Sequence, residues 1–222
     1  MKKKMFSMLA GVVGLVLLGI TSAQAVSLDL LVAGGQIIEG DKRFHSFTYS
    51  STEFPNANIF DVTGITWSGM HGLDFATSSL FLTAPGDADV LIGYTVDVLD
   101  PDQKIKDIWL GVIGSAGPGG FVAVTESVVN LTFPVQPQVV LLPGDTLDFD
   151  QIDPIPGAPY STLKVKKDIL LACQFATSTL NPCAEVTYVR QLVSQVPEPA
   201  SLLLLGSGLV GMAAFGRKRM RG

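Results

Sequence analysis

The chain has 222 residues, 47% of them hydrophobic and 16% charged, with 15 Lys+Arg against 20 Asp+Glu. Its mean hydropathy of +0.41 comes partly from two apolar ends, and no third run of membrane length lies between them, which excludes a polytopic membrane protein. Three of the bases are Lys2 to Lys4, four lie within Arg217 to Arg221, and Glu198 is the only acid outside residues 26–195; that stretch therefore holds eight bases against 19 acids, a charge of −11 that repels nucleic acid and anionic lipid heads.

At the N-terminus Lys2, Lys3 and Lys4 form a positive n-region, followed by an apolar h-region from Met8 to Ile20. Thr21-Ser22-Ala23-Gln24-Ala25 ends in an A-x-A site. This is the pattern of a secretory signal peptide over residues 1–25, cut after Ala25 to leave Val26 as the mature N-terminus. The expected partners are signal peptidase and the general export machinery. An uncleaved anchor is the competing reading, disfavoured by the short h-region and the small residues at the cleavage site.

Residues 26–195 are the right size for one domain with its own core. Their periodicity is two. Val90, Ile92, Tyr94, Val96 and Val98 alternate with Leu91, Gly93, Thr95, Asp97 and Leu99. Phe121 to Phe133 is rich in Val and Thr. Leu163, Val165, Ile169 and Leu171 alternate with Lys164, Lys166, Asp168 and Leu170, and Val186, Tyr188, Arg190 and Leu192 close the domain. Alternation and β-branched content predict strands. Turn signals separate them, among them Gly40-Asp41, Pro85-Gly86-Asp87, Asp100-Pro101-Asp102, Gly117-Pro118-Gly119-Gly120 and Pro143-Gly144-Asp145. Asp150 to Pro159 is the most loop-like stretch. No amphipathic helix stands out. The expectation is all-β, an antiparallel β-sandwich with a jelly-roll-like course.

Catalytic chemistry is sparse. His45 and His71 are too few for a multi-His metal centre, and neither has a partner that the sequence reveals. A G-x-S-x-G elbow, a P-loop lysine and an H-E-x-x-H helix are all missing from the sequence. Gly117-Pro118-Gly119-Gly120 precedes a strand, so it reads as a hairpin and not a phosphate loop. The expectation is a non-enzymatic protein without a cofactor. Asp145, Asp148, Asp150 and Asp153 are weak calcium candidates, since calcium takes several hard oxygens from loops. Solvated turn acids are the plainer reading. Phe44, Phe47, Tyr49, Phe54, Phe60, Trp67, Phe75 and Trp109 could give a sugar-stacking face or simply a core, with the core as default at strand spacing.

Cys173 and Cys183 are the only two cysteines. Export places them in an oxidising compartment, where pairing is expected. A loop of about ten residues contributes roughly 2–3 kcal/mol in the chain-entropy model. Two free buried thiols are the alternative.

The C-terminus has three parts in order. Val196-Pro197-Glu198-Pro199 is a short polar motif, Ala200 to Gly216 an apolar run, and Arg217, Lys218, Arg219 and Arg221 a basic end within residues 217–222. The run of about 17 residues covers roughly 26 Å as a helix, at the short end of the spanning range. The basic end holds the C-terminus in the cytoplasm by the positive-inside rule. The prolines keep the motif extended and open to a protease at the membrane surface. An ordinary single-span anchor is the competing reading.

This tail closely resembles the PEP-CTERM sorting signal of Gram-negative bacteria, a segment also named after the C-terminus of ice-binding proteins. The resemblance implies export, processing by exosortase (a membrane cysteine protease) and a link to exopolysaccharide. Ice binding itself calls for regular rows of Thr, which are scattered here. The stretch from Asp89 to Ser127 is more weakly similar to other PEP-CTERM ectodomains and implies no activity. The expected molecule is thus held briefly in the inner membrane, then moved to the cell surface or extracellular matrix. A carbohydrate- or calcium-binding module is the alternative, and a secreted hydrolase a further one.

Overall fold

In a computed structural model that describes residues 24–129, 131, 136–177 and 181–197, the period-two pattern becomes twelve strands. In chain order these are β1 Val26–Ser27, β2 Ile37–Glu39, β3 Lys42–Ser51, β4 Phe60–Trp67, β5 Met70–Leu82, β6 Gly86–Val98, β7 Gln103–Ala116, β8 Gly120–Val128, β9 Gln138–Leu141, β10 Leu147–Ile152, β11 Thr162–Cys173 and β12 Ala184–Pro197. They form two six-stranded antiparallel sheets, packed as a sandwich. Sheet A runs β1-β4-β5-β12-β7-β10, and sheet B runs β2-β3-β6-β11-β8-β9.

Among the described residues helix is confined to one turn at Leu28–Val32, α1, and a 3₁₀ turn at Ala57–Ile59. Both are too short for a periodicity to announce them. Leu28 and Leu31 of α1 are buried against the core.

Alternation decides what each strand buries. Val90, Ile92, Tyr94 and Val96 of β6 point inward, as do Leu163, Val165, Ile169 and Leu171 of β11. They meet Leu73 and Phe75 of β5 and Ile108, Leu110 and Val112 of β7 from the other sheet. Truncating a buried Phe such as Phe75 to Ala costs about 3–5 kcal/mol.

Two features correct the expected phase. Register shifts between Val186 and Tyr188, so Thr187 is a bulge in β12. Val186 therefore faces the core while Tyr188 faces out, although simple alternation puts them on one face. Strand β12 also continues two residues past the expected domain boundary at Gln195. Val196 pairs with Lys104 and Pro197 with Gln103.

Four polar side chains occupy core-phase positions: Lys42, Glu126, Lys167 and Gln191 are fully buried. Glu126 and Lys167 stand opposite each other on β8 and β11.

Cys173 and Cys183 form a disulfide with Cα atoms 5.6 Å apart, within the usual range. It joins the end of β11 in sheet B to the start of β12 in sheet A. Gly120 packs beside it, where a Cβ would lie 1.9 Å from the Cys183 carbonyl oxygen. Residues 1–23 of the expected signal peptide, Ala23 among them, Glu198, Pro199, the apolar run 200–216 and the basic residues Arg217, Lys218, Arg219 and Arg221 lie outside the described residues. Among the described residues no helix is long and apolar enough to cross a membrane.

Candidate functional site

The outer face of sheet A holds a groove of about 490 Å³. Strand register builds it in rows. One row crosses from Phe149 on β10 through Gly111 on β7 and Arg190 on β12 to Asp74 on β5. The neighbouring row runs from Gln151 through Trp109 and Leu192 to Gly72. On the other side lie Leu147, Ile113, Tyr188 and Ala76. Gly111 is the gap in the middle. A Cβ there would meet only the Cβ of Arg190, at 3.7 Å, so the space above it is open.

Three rings wall this groove. The Trp109 indole stands edge-on to Trp67, centroids 6.4 Å apart, and stacks nearly parallel to Phe149, at 6.2 Å and 13°. Trp67 is 48% exposed and Phe149 64%. Trp67 is aimed by the hairpin that follows it. Ser68 and Gly69 both have positive φ, 50° and 78°, the backbone of a two-residue turn matched to strand twist. Leu147 and Ile113 extend the apolar surface beyond Phe149.

Beside the rings sits a fixed polar cluster. Arg190 donates from Nε to Asp74 Oδ1 at 2.9 Å and from Nη2 to Asp74 Oδ2 at 3.0 Å. The same Nη2 donates to the Tyr188 hydroxyl at 3.0 Å, and that hydroxyl donates to Asp74. The guanidinium also lies over the Tyr188 ring, 5.4 Å from its centroid. Burial raises the Asp74 carboxyl above its ordinary range, with Arg190 drawing it back. Flat apolar faces next to oriented donors suit a ligand that is itself apolar on its faces and hydroxylated at its edges.

Of the aromatics singled out by sequence, Phe44, Phe47, Phe60 and Phe75 are core residues. Tyr49 and Phe54 pack half-buried against the core. Trp67 and Trp109 alone reach the groove. Sequence reading missed Phe149, Tyr188, Arg190 and Asp74. For Phe149 a signal existed. Leu147 and Phe149 alternate with Asp148 and Asp150, which is the pattern of a strand with one apolar face, not of a loop of acids.

The four aspartates each have a partner of their own. Asp145 accepts from the Leu142 amide at 2.9 Å, and Asp148 from the Phe149 amide at 2.8 Å. Asp150 accepts from the amides of Gln138 and Gln151, at 2.9 and 2.8 Å. Asp153 pairs with Lys106 at 2.6 Å. Among the described residues no three His, Cys, Asp or Glu side chains gather as a metal-binding group.

The histidines lie elsewhere. On the outer side of sheet B, His45 lies between Ser46 Oγ and Asp97 Oδ2, 2.9 Å from each. Arg43 and Thr162 bind the same carboxylate, at 2.6 and 2.8 Å. Burial pushes Asp97 up, but hydrogen bonds from Arg43, Thr162 and His45 together hold it below its usual range. His71 Nδ1 is 2.9 Å from Thr66 Oγ1.

Val196 and Pro197 of the tail motif continue β12, the strand that also carries Tyr188 and Arg190. Residues 195–219 match the PEP-CTERM protein-sorting motif. The chain thus carries a sorting signal that implies processing by exosortase, and PEP-CTERM proteins are exported and sorted to the cell surface. No curated protein matches the chain significantly. Among solved structures the chain is similar to TmCBM61 in complex with β-1,4-galactotriose, at 11% identity over 68% of this chain and 88% of that one, TM-score 0.33. It is also similar to CBM29_1, a family 29 carbohydrate-binding module from Piromyces equi, at 10% identity over 68% and 91%, TM-score 0.23. A third is the enzymatically active domain of bacteriophage CBA120 tailspike protein 4, at 13% identity over 68% and 19%, TM-score 0.26.

Proposed function

We propose that this exported, PEP-CTERM-bearing protein binds polysaccharide in the sheet A groove and does not turn it over. The observation that carries the reading is the row of rings Trp67, Trp109 and Phe149 beside the Arg190–Asp74–Tyr188 cluster. The rings stand on paired strands, so little side-chain freedom is lost when a sugar stacks on them. Arg190 is already held by Asp74, which leaves it placed to meet a hydroxyl at the rim without reorganising. With a charge of −11 on residues 26–195, a neutral glycan meets no repulsion, whereas an acidic one would need a bridging cation such as calcium.

The sorting signal supports a working place at the surface or in the extracellular matrix. In this reading residues 200–216 hold the protein briefly in the inner membrane with its basic end in the cytoplasm, and exosortase then releases it. The course of the chain, which crosses repeatedly between sheets, is read as a jelly roll.

The test is affinity electrophoresis of the exported, full-length-encoded protein through gels containing the host's own matrix polysaccharide, with calcium or with chelator. Retardation in either gel is expected. Unretarded migration in both refutes the proposal. A hydrolase is the second reading, favoured by the Ser46–His45–Asp97 alignment. It requires the polymer to lose mass in these samples, and that loss to vanish in His45→Ala.

A further inference from the structure

The core of the sandwich contains an amine in contact with both a carboxyl and a primary amide, and none of the three touches solvent. Lys167 Nζ donates to Gln191 Oε1 at 2.5 Å and to Glu126 Oε2. All three side chains are 0% exposed. Gln191 Nε2 donates to the Leu192 carbonyl at 3.3 Å, which turns the amide oxygen toward the lysine. Glu126 Oε1 is buried without a hydrogen-bond partner among the described residues. The Phe75 ring lies 6.0 Å from Lys167 Nζ, and Tyr94 packs against Phe75 at 6.0 Å, so the walls are aromatic.

A buried ion pair is a costly way to hold two sheets together. Desolvating both charges offsets most of their attraction, and apolar residues of the same volume are often as stable. The three residues are also arranged for chemistry. We propose that Lys167 and Gln191 join in an intramolecular isopeptide bond, with Glu126 carrying the protons, so that a covalent link crosses the core from sheet B to sheet A.

The step balances without any co-reactant. The Nζ lone pair attacks Cδ of Gln191, and the carbonyl π pair moves to Oε1, which takes a proton from Glu126. The Glu126 carboxylate removes a proton from Nζ and delivers it to Nε2. The Cδ–Nε2 bond breaks with its electron pair leaving on nitrogen as ammonia, the Oε1 lone pair re-forms the carbonyl while its proton returns to Glu126, and the Cδ–Nζ amide remains with Glu126 restored. Burial favours the reactive forms, because it lowers the Lys167 amine and raises the Glu126 carboxyl. Holding the groups in contact supplies an effective concentration on the order of 10⁵ M or more. The dry walls keep water from competing, and escape of ammonia makes the exchange one-way.

A second trio of similar type sits at the rim and lacks the dry walls. Lys42 donates to Gln195 and to Asp41, the latter at 2.6 Å. Burial lowers the Lys42 amine as well, with Asp41 drawing it back, but the Asp41 side chain is 19% exposed, so water reaches the acid that would carry the protons.

The consequence is mechanical. Strand β12 runs directly into the sorting motif, so any pull on the C-terminus enters the domain there. The disulfide Cys173–Cys183 already ties β12 to β11 at one end. The isopeptide bond would tie the same two strands at mid-length, and sheet A could not be peeled from sheet B by that strand.

The experiment is peptide mapping of the exported wild-type protein after reduction, alkylation and trypsin, read by tandem mass spectrometry. The expected product is a branched species joining the Lys167 peptide to the peptide that begins at Gln191, lighter than the two together by one ammonia, with no cleavage after Lys167. Cleavage after Lys167 with the Gln191 peptide at full mass overturns the proposal. A Lys167–Glu126 link, lighter by one water, or a link confined to Lys42 and Gln195 overturns it equally. In Glu126→Gln the linked fraction should fall at least about tenfold. Undiminished linkage there removes Glu126 from the mechanism, and the wild-type map decides the bond itself whether or not the variant folds.

Discussion

Trp109 is the centre of the groove, and its removal is the sharpest test of the binding reading. Trp109→Ala abolishes two ring contacts, one with Trp67 at 6.4 Å and one with Phe149 at 6.2 Å. At about 0.5–1.5 kcal/mol for each aromatic pair, the folded state loses roughly 1–3 kcal/mol. Binding should suffer separately. A central Trp anchor contributes about 2 kcal/mol or more, and about 1.4 kcal/mol is tenfold in affinity, so the loss should be about 30-fold. Trp109→Phe keeps a ring in place and should recover about half of that energy. Isothermal titration with oligosaccharides cut from the host matrix measures the loss of binding, and urea unfolding the loss of stability. Asp148→Ala is the control, because its side chain leaves β10 away from the groove; it should leave affinity unchanged. A folded Trp109→Ala protein that binds within about twofold of wild type refutes the assignment of the groove.

Replacing Cys173 and Cys183 by Ser should lower the unfolding free energy by about 2–3 kcal/mol, seen as an earlier urea midpoint with a similar slope. Asp89 titrates at about 6, raised first by burial, then by the hydrogen bond and charge of Asp168 and by Glu53. An acid whose folded value lies above its unfolded value of about 3.9 destabilises the fold as pH climbs between the two. The melting temperature of wild type should therefore fall relative to Asp168→Asn from about pH 4 to about pH 6, and parallel curves would contradict the pairing. Glu198→Ala should leave the basic end on the chain in the membrane fraction of an exosortase-positive strain; a surface-localised wild type that retains Arg217 to Arg221 by mass would show the tail to be a plain anchor.

The sequence by itself determined the kind of molecule. Motif, apolar run and basic end are linear patterns whose meaning lies in their order, and the match of residues 195–219 to the sorting motif bears that out. The β-sandwich was legible for a related reason, since alternation of side chains is a property of one strand and needs no partner to be seen. The disulfide followed from compartment and count, and the structure joins the same two cysteines. The groove was not legible, because it belongs to no single strand. Trp67, Trp109, Phe149 and Arg190 come from four strands, and only the register of β4-β5-β12-β7-β10 brings them to one face. The Thr187 bulge matters here, for it turns Tyr188 and Arg190 outward where unbroken alternation would turn them with Val186. The buried trio lies between these cases. Glu126 falls in phase with Val122, Val124 and Val128, Lys167 with Val165 and Ile169, and Gln191 with Val189 and Val193. Each is a polar residue in an apolar row, and that anomaly can be seen in the sequence. That the three anomalies meet was decided by the packing of sheet on sheet, because a side chain's facing is local and its neighbour across the core is not.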